Sequence, residues 1–230
     1  MNIAIILAAG KSRRMKGLNK IFCKINGKPL IFYTIKVFER CRQIQKIILV
    51  TETNSVEKIK ELVKKYRLKK ITGVIEGGKE RQDSARKGLA AIGKLGARAG
   101  DLVLFHNGAN PLASEEEISE VIKAAKKYGA ALLGQPAKDT IKETDKNGVI
   151  LKTIPRKNIY LAQTPQAIEY ELAKEVFEKA VKDGFRGTDD VSLVERLGKP
   201  VKIIPCSYKN IKVTTRDDLK IIKTFIKSKR

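Results

Sequence analysis

At 230 residues, with 42% hydrophobic and 32% charged side chains, the chain has the balance of one globular unit, which excludes a disordered or low-complexity protein. No apolar run approaches the roughly 18 residues that span a bilayer, and Ile3–Leu7 reads as a buried strand rather than a secretion signal. The net charge of +23, from 48 Lys+Arg against 25 Asp+Glu, suits polyanionic ligands but names none, because lysines such as Lys58, Lys64 and Lys126 are spread along helical stretches.

In chain order, strands are predicted at 2–8, 46–51, 71–75, 101–106, 130–135 and 201–205. The helix predicted over 29–40 opens on Pro29 and carries Leu30, Ile31, Ile35, Val37 and Phe38. Residues 55–66 place Val56, Ile59, Leu62, Val63 and Tyr66 at helical spacing, and a further helix runs from Asp83-Ser84 through Leu89 and Ile92. Ser114 with Glu117 predicts a capping box, and Thr215 with Asp218 does the same for a last helix. Strands alternating with helices imply the α/β class: a Rossmann-like, mainly parallel sheet flanked by helices, formed by residues 1–230 as a single domain.

One stretch breaks the alternation. Residues 138–160 hold two β-prone runs around Asn147-Gly148, a strong hairpin signal. An inserted β-hairpin with Ile141, Val149 and Leu151 along it predicts an arm whose apolar residues need a partner, hence a homodimer.

The cysteines Cys23, Cys41 and Cys206 are odd in number and widely separated, which predicts a reducing, cytosolic compartment and no zinc site. His106 is the only histidine, so multi-histidine metal sites and serine–histidine engines elsewhere are excluded, and His106 itself reads as a structural residue at a strand end. After the first strand, Ala8, Ala9 and Gly10 allow close backbone approach to a ligand, and Lys11, Arg13, Arg14 and Lys20 crowd the same strand end. Gly10-Lys11-Ser12 is not a P-loop, since Ile5 stands where that motif needs glycine. On spacing alone, Arg13-Arg14 reads equally as a solvated pair and Thr188-Asp189-Asp190 as a helix cap, while Lys212 reads as a strand-edge lysine sooner than as a ligand contact.

Leu7-Ala8-Ala9-Gly10 with Arg14-Met15, then Asn19-Lys20 and Gly27-Lys28-Pro29-Leu30, resembles the opening signature of sugar-phosphate nucleotidyltransferases. Gly77-Gly78-Lys79-Glu80-Arg81-Gln82-Asp83-Ser84, Lys138-Asp139-Thr140, Arg156, Gln163-Thr164-Pro165-Gln166, Thr188-Asp189-Asp190 and Asn210–Thr214 are similar, in order, to motifs of the 2-C-methyl-D-erythritol 4-phosphate cytidylyltransferases. The resemblance covers nearly the whole chain. Pentitol-phosphate (ribitol 5-phosphate) cytidylyltransferases share much of it.

The resemblance implies CTP as substrate, Mg²⁺ bridging its phosphates with no dedicated protein cage, and pyrophosphate as product. It implies that Arg14 and Lys20 stabilise the transition state and that Arg156 and Lys212 position the acceptor phosphate. Thr140, Thr164 and Thr188 would contact the acceptor, while Ala8, Ala9, Gly10, Lys11, Asp83, Ser84 and Asn107 would hold the nucleotide. Arg156 lies at the base of the arm, so the second subunit would complete an acceptor site. The chain departs from the family pattern at His106-Asn107-Gly108-Ala109-Asn110-Pro111, where Asn107 and Asn110 replace an aspartate and an arginine. A basic nucleotide- or nucleic-acid-binding protein without turnover is the competing class, and the sequence carries no recognition-helix or aromatic platform motif to favour it.

Overall fold

The computed structural model describes residues 1–10 and 19–227. In chain order the described elements are β1 (Asn2–Ala8), the short pair β2 (Lys24–Ile25) and β3 (Lys28–Pro29), α1 (Leu30–Arg40), β4 (Lys46–Thr51), α2 (Val56–Lys65), β5 (Ile71–Glu76), α3 (Arg81–Lys94) and β6 (Leu102–Asn107). There follow α4 (Glu115–Tyr128), β7 (Ala130–Pro136), β8 (Ile141–Thr144), β9 (Ile150–Ile154), β10 (Tyr160–Glu169), α5 (Tyr170–Lys182), α6 (Ser192–Arg196), β11 (Lys202–Pro205) and α7 (Arg216–Lys227).

The seven-stranded sheet has the order β11-β7-β10-β6-β1-β4-β5. β1 runs parallel to β4 and β6, β4 to β5, and β11 to β7. Only β10 is reversed, antiparallel to both β6 and β7. β1 is buried along its full length because helices cover both faces of the sheet, which is why its sequence is a near-continuous apolar run. Ala4, Ile6 and Ala8 face one layer with Ile35 and Phe38 of α1, Ile59 of α2 and Val121 of α4. Ile3, Ile5 and Leu7 face the other, with Leu89 of α3 and Phe177 of α5. A small third cluster packs Val213 and Ile222 of the C-terminal segment on Ile25, Leu30 and Ala109, closing one flank of the sheet's carboxyl edge.

The predicted strands and helices form within a residue or two of their expected bounds; one boundary differs in kind, and β2, β3, β10, α5 and α6 were not among the expected elements. Pro29 is the N-cap of α1, in extended backbone (φ −66°, ψ 150°), and ends β3 rather than starting the helix. The sequence reading also lacked β10, which contains Pro165; a proline inside a β-prone run argues against a central strand. β10 accommodates it at an irregularity, where its register on β7 shifts between Ala162 and Gln166.

Both expected capping boxes form. Ser114 Oγ accepts the Glu117 N–H at 3.1 Å while the Ser114 N–H donates to Glu117 Oε2 at 2.8 Å. Thr215 and Asp218 reciprocate at 3.2 and 2.8 Å ahead of α7.

The arm is an antiparallel hairpin of β8 and β9. Its turn is nucleated by Asp145 rather than by Asn147. The Gly148 N–H donates to the Asp145 carbonyl at 3.2 Å, and Asp145 Oδ1 accepts the N–H groups of Asn147 and Val149 at 2.9 Å each. Gly148 alone adopts a left-handed φ, +84°, the bulge geometry that lets a four-residue turn match the strand twist. Val149, Ile150 and Leu151 stand out from it with 58–61% of their surface exposed.

Candidate active site

At the carboxyl ends of β1 and β6 the sheet opens into a cleft of about 320 Å³. Ala8, Ala9 and Gly10 from the end of β1, Lys20 and Ile21 from a one-turn 3-10 helix, Lys79, Glu80, Arg81 and Ser84 around the start of α3, Asn107 at the end of β6, and Lys212 line it. Ligands in open α/β sheets bind at this edge, because the strand ends and helix N-termini present unpaired backbone donors there. A groove of about 720 Å³ continues from it past Ala9 and Lys79, lined also by Thr51, Glu52, Gly77, Gly78 and Asp83. Glycine is required at 77: a Cβ there would lie 2.5 Å from the Ala9 Cβ and 2.8 Å from Ser84 Oγ. Ser84, itself buried, accepts the Gly78 N–H at 3.0 Å and donates to the Glu80 carbonyl at 3.1 Å, so it shapes the turn as well as lining the cleft.

Arg81 organises the wall. Its Nη1 and Nη2 form a fork on Asp190 at 2.8 and 2.5 Å, and its Nε donates to Asn107 Oδ1 at 3.3 Å. Burial opposes charge on both partners. The guanidinium is nevertheless held above its ordinary value by Asp190, while burial pushes the Asp190 carboxyl up against the pull of Arg81. Asp190 is pinned in turn because Gln166 Oε1 accepts its N–H at 2.9 Å, and Gln166 Nε2 donates to Asp189 Oδ2 at 2.7 Å. Asn107 Nδ2 faces Thr164 Oγ at 3.4 Å.

His106, next to Asn107, points the opposite way. It is fully buried, its ring tilted against Phe38 at a 4.7 Å centroid distance, with Nε2 2.9 Å from the Asn110 carbonyl. Burial, aided by the Arg81 charge, lowers its pKa to about 4 against the pull of the Asn110 carbonyl, so it is a neutral core residue as expected. Asn110 is buried too. Its Nδ2 donates to Asn210 Oδ1 at 3.2 Å, and Asn210 Nδ2 donates to the Thr164 carbonyl at 3.0 Å. It therefore braces the segment around Asn210 behind the cleft and does not stand on the lining.

Of the residues singled out from the sequence, the cleft brings together Ala8, Ala9, Gly10, Lys20, Ser84, Asn107 and Lys212. Thr164 touches Asn107 from behind, and Asp83 lines the adjoining groove, where Arg186 and the Glu80 N–H hold its carboxyl below the usual range despite partial burial. Thr140, Arg156 and Thr188 are exposed and off the lining, Arg156 donating to the Lys138 carbonyl at the root of the arm. Thr188 does not cap α6, whose N-cap is Val191; Asp189 Oδ1 accepts the Ser192 N–H at 2.9 Å in the turn ahead of it. Lys11 and Arg14 lie outside the described residues. Lys79, Arg81 and Asp190 were not singled out. Arg81 and Asp190 sat inside motifs already quoted, but their pairing spans 109 residues and has no local signal.

The donor set fits a protein-held divalent cation poorly. Hard cations select carboxylate oxygens, and among the described residues no group of three or more His, Cys, Asp or Glu could hold a metal ion. Glu80 is the one carboxylate on the lining, and it is tied into the capping box of α3 with Asp83.

With this geometry in place, comparison with known proteins is direct. The family model described as 2-C-methyl-D-erythritol 4-phosphate cytidylyltransferase matches residues 2–228. Proteins of that name from Syntrophus aciditrophicus and Caldanaerobacter subterraneus subsp. tengcongensis are 42% and 43% identical, covering 98% and 99% of this chain and 95% and 100% of their own. A crystal structure of 4-diphosphocytidyl-2C-methyl-D-erythritol synthase from Anaerococcus prevotii superposes with a TM-score of 0.86 at 31% identity, over 99% of this chain and 96% of that one. The chain belongs to the 2-C-methyl-D-erythritol 4-phosphate cytidylyltransferase family.

Proposed function

We propose that this protein transfers the cytidylyl group of CTP to the phosphate of 2-C-methyl-D-erythritol 4-phosphate, giving 4-diphosphocytidyl-2-C-methyl-D-erythritol and pyrophosphate, a step of isoprenoid precursor synthesis. The observation that carries the reading is the cleft itself, where Lys20, Lys79, Arg81 and Lys212 converge beside the small-residue end of β1.

In this mechanism an oxygen of the acceptor phosphate forms a bond to the α-phosphorus of CTP, and the bond from that phosphorus to the β-phosphate bridging oxygen breaks. An ionised phosphate needs no general base, which accords with a sole histidine held neutral in the core. The protein's task is to bring two polyanions together and to stabilise the charge that grows on the α-phosphate. Lys20, with Arg14, would do this at the α-phosphate, and Lys212 would hold the acceptor phosphate. Ala8, Ala9 and Gly10, with Lys11, Asp83, Ser84 and Asn107, would bind the nucleotide. Arg81 is locked on Asp190 and shapes the wall. Magnesium enters only as an ion carried on the triphosphate.

Thr140, Thr188 and Arg156 stand off the cleft of their own chain, and Thr140 and Arg156 flank the arm. In this reading residues 1–230 act as one nucleotidyltransferase domain in the cytosol, and the arm pairs with a second copy so that Arg156 completes its neighbour's acceptor site. Pyrophosphate release from CTP tests the proposal. Release with methylerythritol phosphate and not with ribitol 5-phosphate supports it. Release with ribitol 5-phosphate alone reassigns the acceptor, and CTP binding without release from either removes the enzyme.

A further inference from the structure

Lys212 reaches the cleft from residues 210–214, a stretch between β11 and α7 with neither helix nor strand, so no repeating backbone pattern fixes where it stands. The stretch is anchored at two points instead. At one, the Val213 N–H donates to the Ala109 carbonyl at 2.9 Å, and the Val213 side chain is buried in the small third cluster. At the other, Asn210 exposes none of its surface and bonds three elements at once. Its Nδ2 donates to the Thr164 carbonyl of β10 at 3.0 Å, and its Oδ1 accepts Asn110 Nδ2, from the turn after β6, at 3.2 Å. Its backbone carbonyl accepts Gln135 Nε2 of β7 at 3.3 Å. The Asn110 bond adds little to folding, because Asn110 Oδ1 is buried with no partner among the described residues. An orphaned buried oxygen offsets much of what one hydrogen bond contributes. The amide at 110 therefore matters more for where Asn210 sits than for how firmly the chain folds.

We propose that Asn210 is a positioning residue for Lys212: tied to β10 through the Thr164 carbonyl and to the turn after β6 through Asn110, it holds the lysine two residues further on at the place where it meets the acceptor phosphate. The inference deepens the cytidylyl-transfer reading and rests on its assignment of the acceptor phosphate to Lys212.

Steady-state kinetics on the full chain test it, with CTP and methylerythritol phosphate varied in turn. Asn210→Ala should raise KM for the acceptor at least about tenfold and leave KM for CTP within about threefold of wild type. In a Lys212→Ala background the same substitution should change the acceptor KM by less than about threefold, because a residue that acts through the lysine has nothing left to place. Asn110→Ala, which removes one bond together with the orphaned oxygen, should fold and shift the acceptor KM in the same direction by a smaller factor, again only when Lys212 is present; it decides the matter if Asn210→Ala fails to fold. Equal rises in the two KM values overturn this inference, as does an effect of the same size with and without Lys212, since either describes a general loss of structure. A Lys212→Ala variant with the wild-type acceptor KM also overturns it, and all three results leave the cytidylyltransferase reading standing. Absence of wild-type turnover with methylerythritol phosphate and with ribitol 5-phosphate overturns both.

Discussion

In the body of the molecule Ile5 and Phe105 expose none of their surface, while in the arm Val149 and Leu151 each leave 61% in solvent. Both regions are rich in β-branched and aliphatic residues, but they spend them differently. The sheet buries both faces under helices and so holds the strand ends that carry Ala8 and Asn107 to a fixed edge. Among the described residues the two strands of the hairpin pair only with each other and no helix covers them, and an isolated two-stranded ribbon is marginal in water. Its order within one chain comes from the Asp145 turn, and its apolar tip makes sense as an interface. The body buries its apolar residues within one chain; the arm leaves its own exposed, and the proposed dimer would cover them.

The largest effect should come from opening the body. Phe105→Ala, on the face of β6 that packs against α5, should cost about 3–5 kcal/mol in urea unfolding, since the ring packs on Phe177 at a 5.4 Å centroid distance and the cavity cannot collapse between helix and sheet. A loss below about 1 kcal/mol would mean that this layer is not the tightly packed support of the cleft.

His106 offers the next test. In the folded chain it stays neutral down to about pH 4, whereas an unfolded histidine takes its proton near 6.5. The unfolded state thus binds more protons between those values, and stability should fall as pH drops through that window, by about 3 kcal/mol in total. Because it is the only histidine, His106→Gln should flatten this limb, leaving the carboxylates to act at lower pH. Equal slopes for variant and wild type would show that the ring does not titrate as a buried group.

The smallest effect on folding belongs to the arm. Leu151→Ser should change the urea midpoint of dilute protein by less than about 0.5 kcal/mol, yet shift the sedimentation of concentrated protein from dimer to monomer. A stability loss as large as that in the sheet, with assembly unchanged, would erase the contrast between the two regions.

How much of this was legible in the sequence follows the range of each interaction. The Ala8–Gly10 cradle, the Ser114 and Thr215 boxes and the helix faces depend on residues within a few positions, and they appear where spacing put them. β10 was hidden because Pro165 interrupts a strand whose hydrogen bonds come from β6 and β7, far away in sequence. Asn107 and Asn110 look alike in the chain, three residues apart. One faces the cleft and the other bonds to Asn210 in the interior, a distinction set by the turn that follows β6. The Arg81–Asp190 fork depends on a contact over 109 residues that no motif encodes.

If the cations of this cleft carry cytidylyl transfer, the turnover rate of Lys20→Ala with saturating CTP and methylerythritol phosphate shows it most directly. Its kcat should fall by about 10²–10³-fold, the scale of losing one charge-stabilising group, with CTP binding retained by calorimetry. A variant within about threefold of the wild-type kcat would contradict it, since such a lysine would line the cleft without serving the reaction.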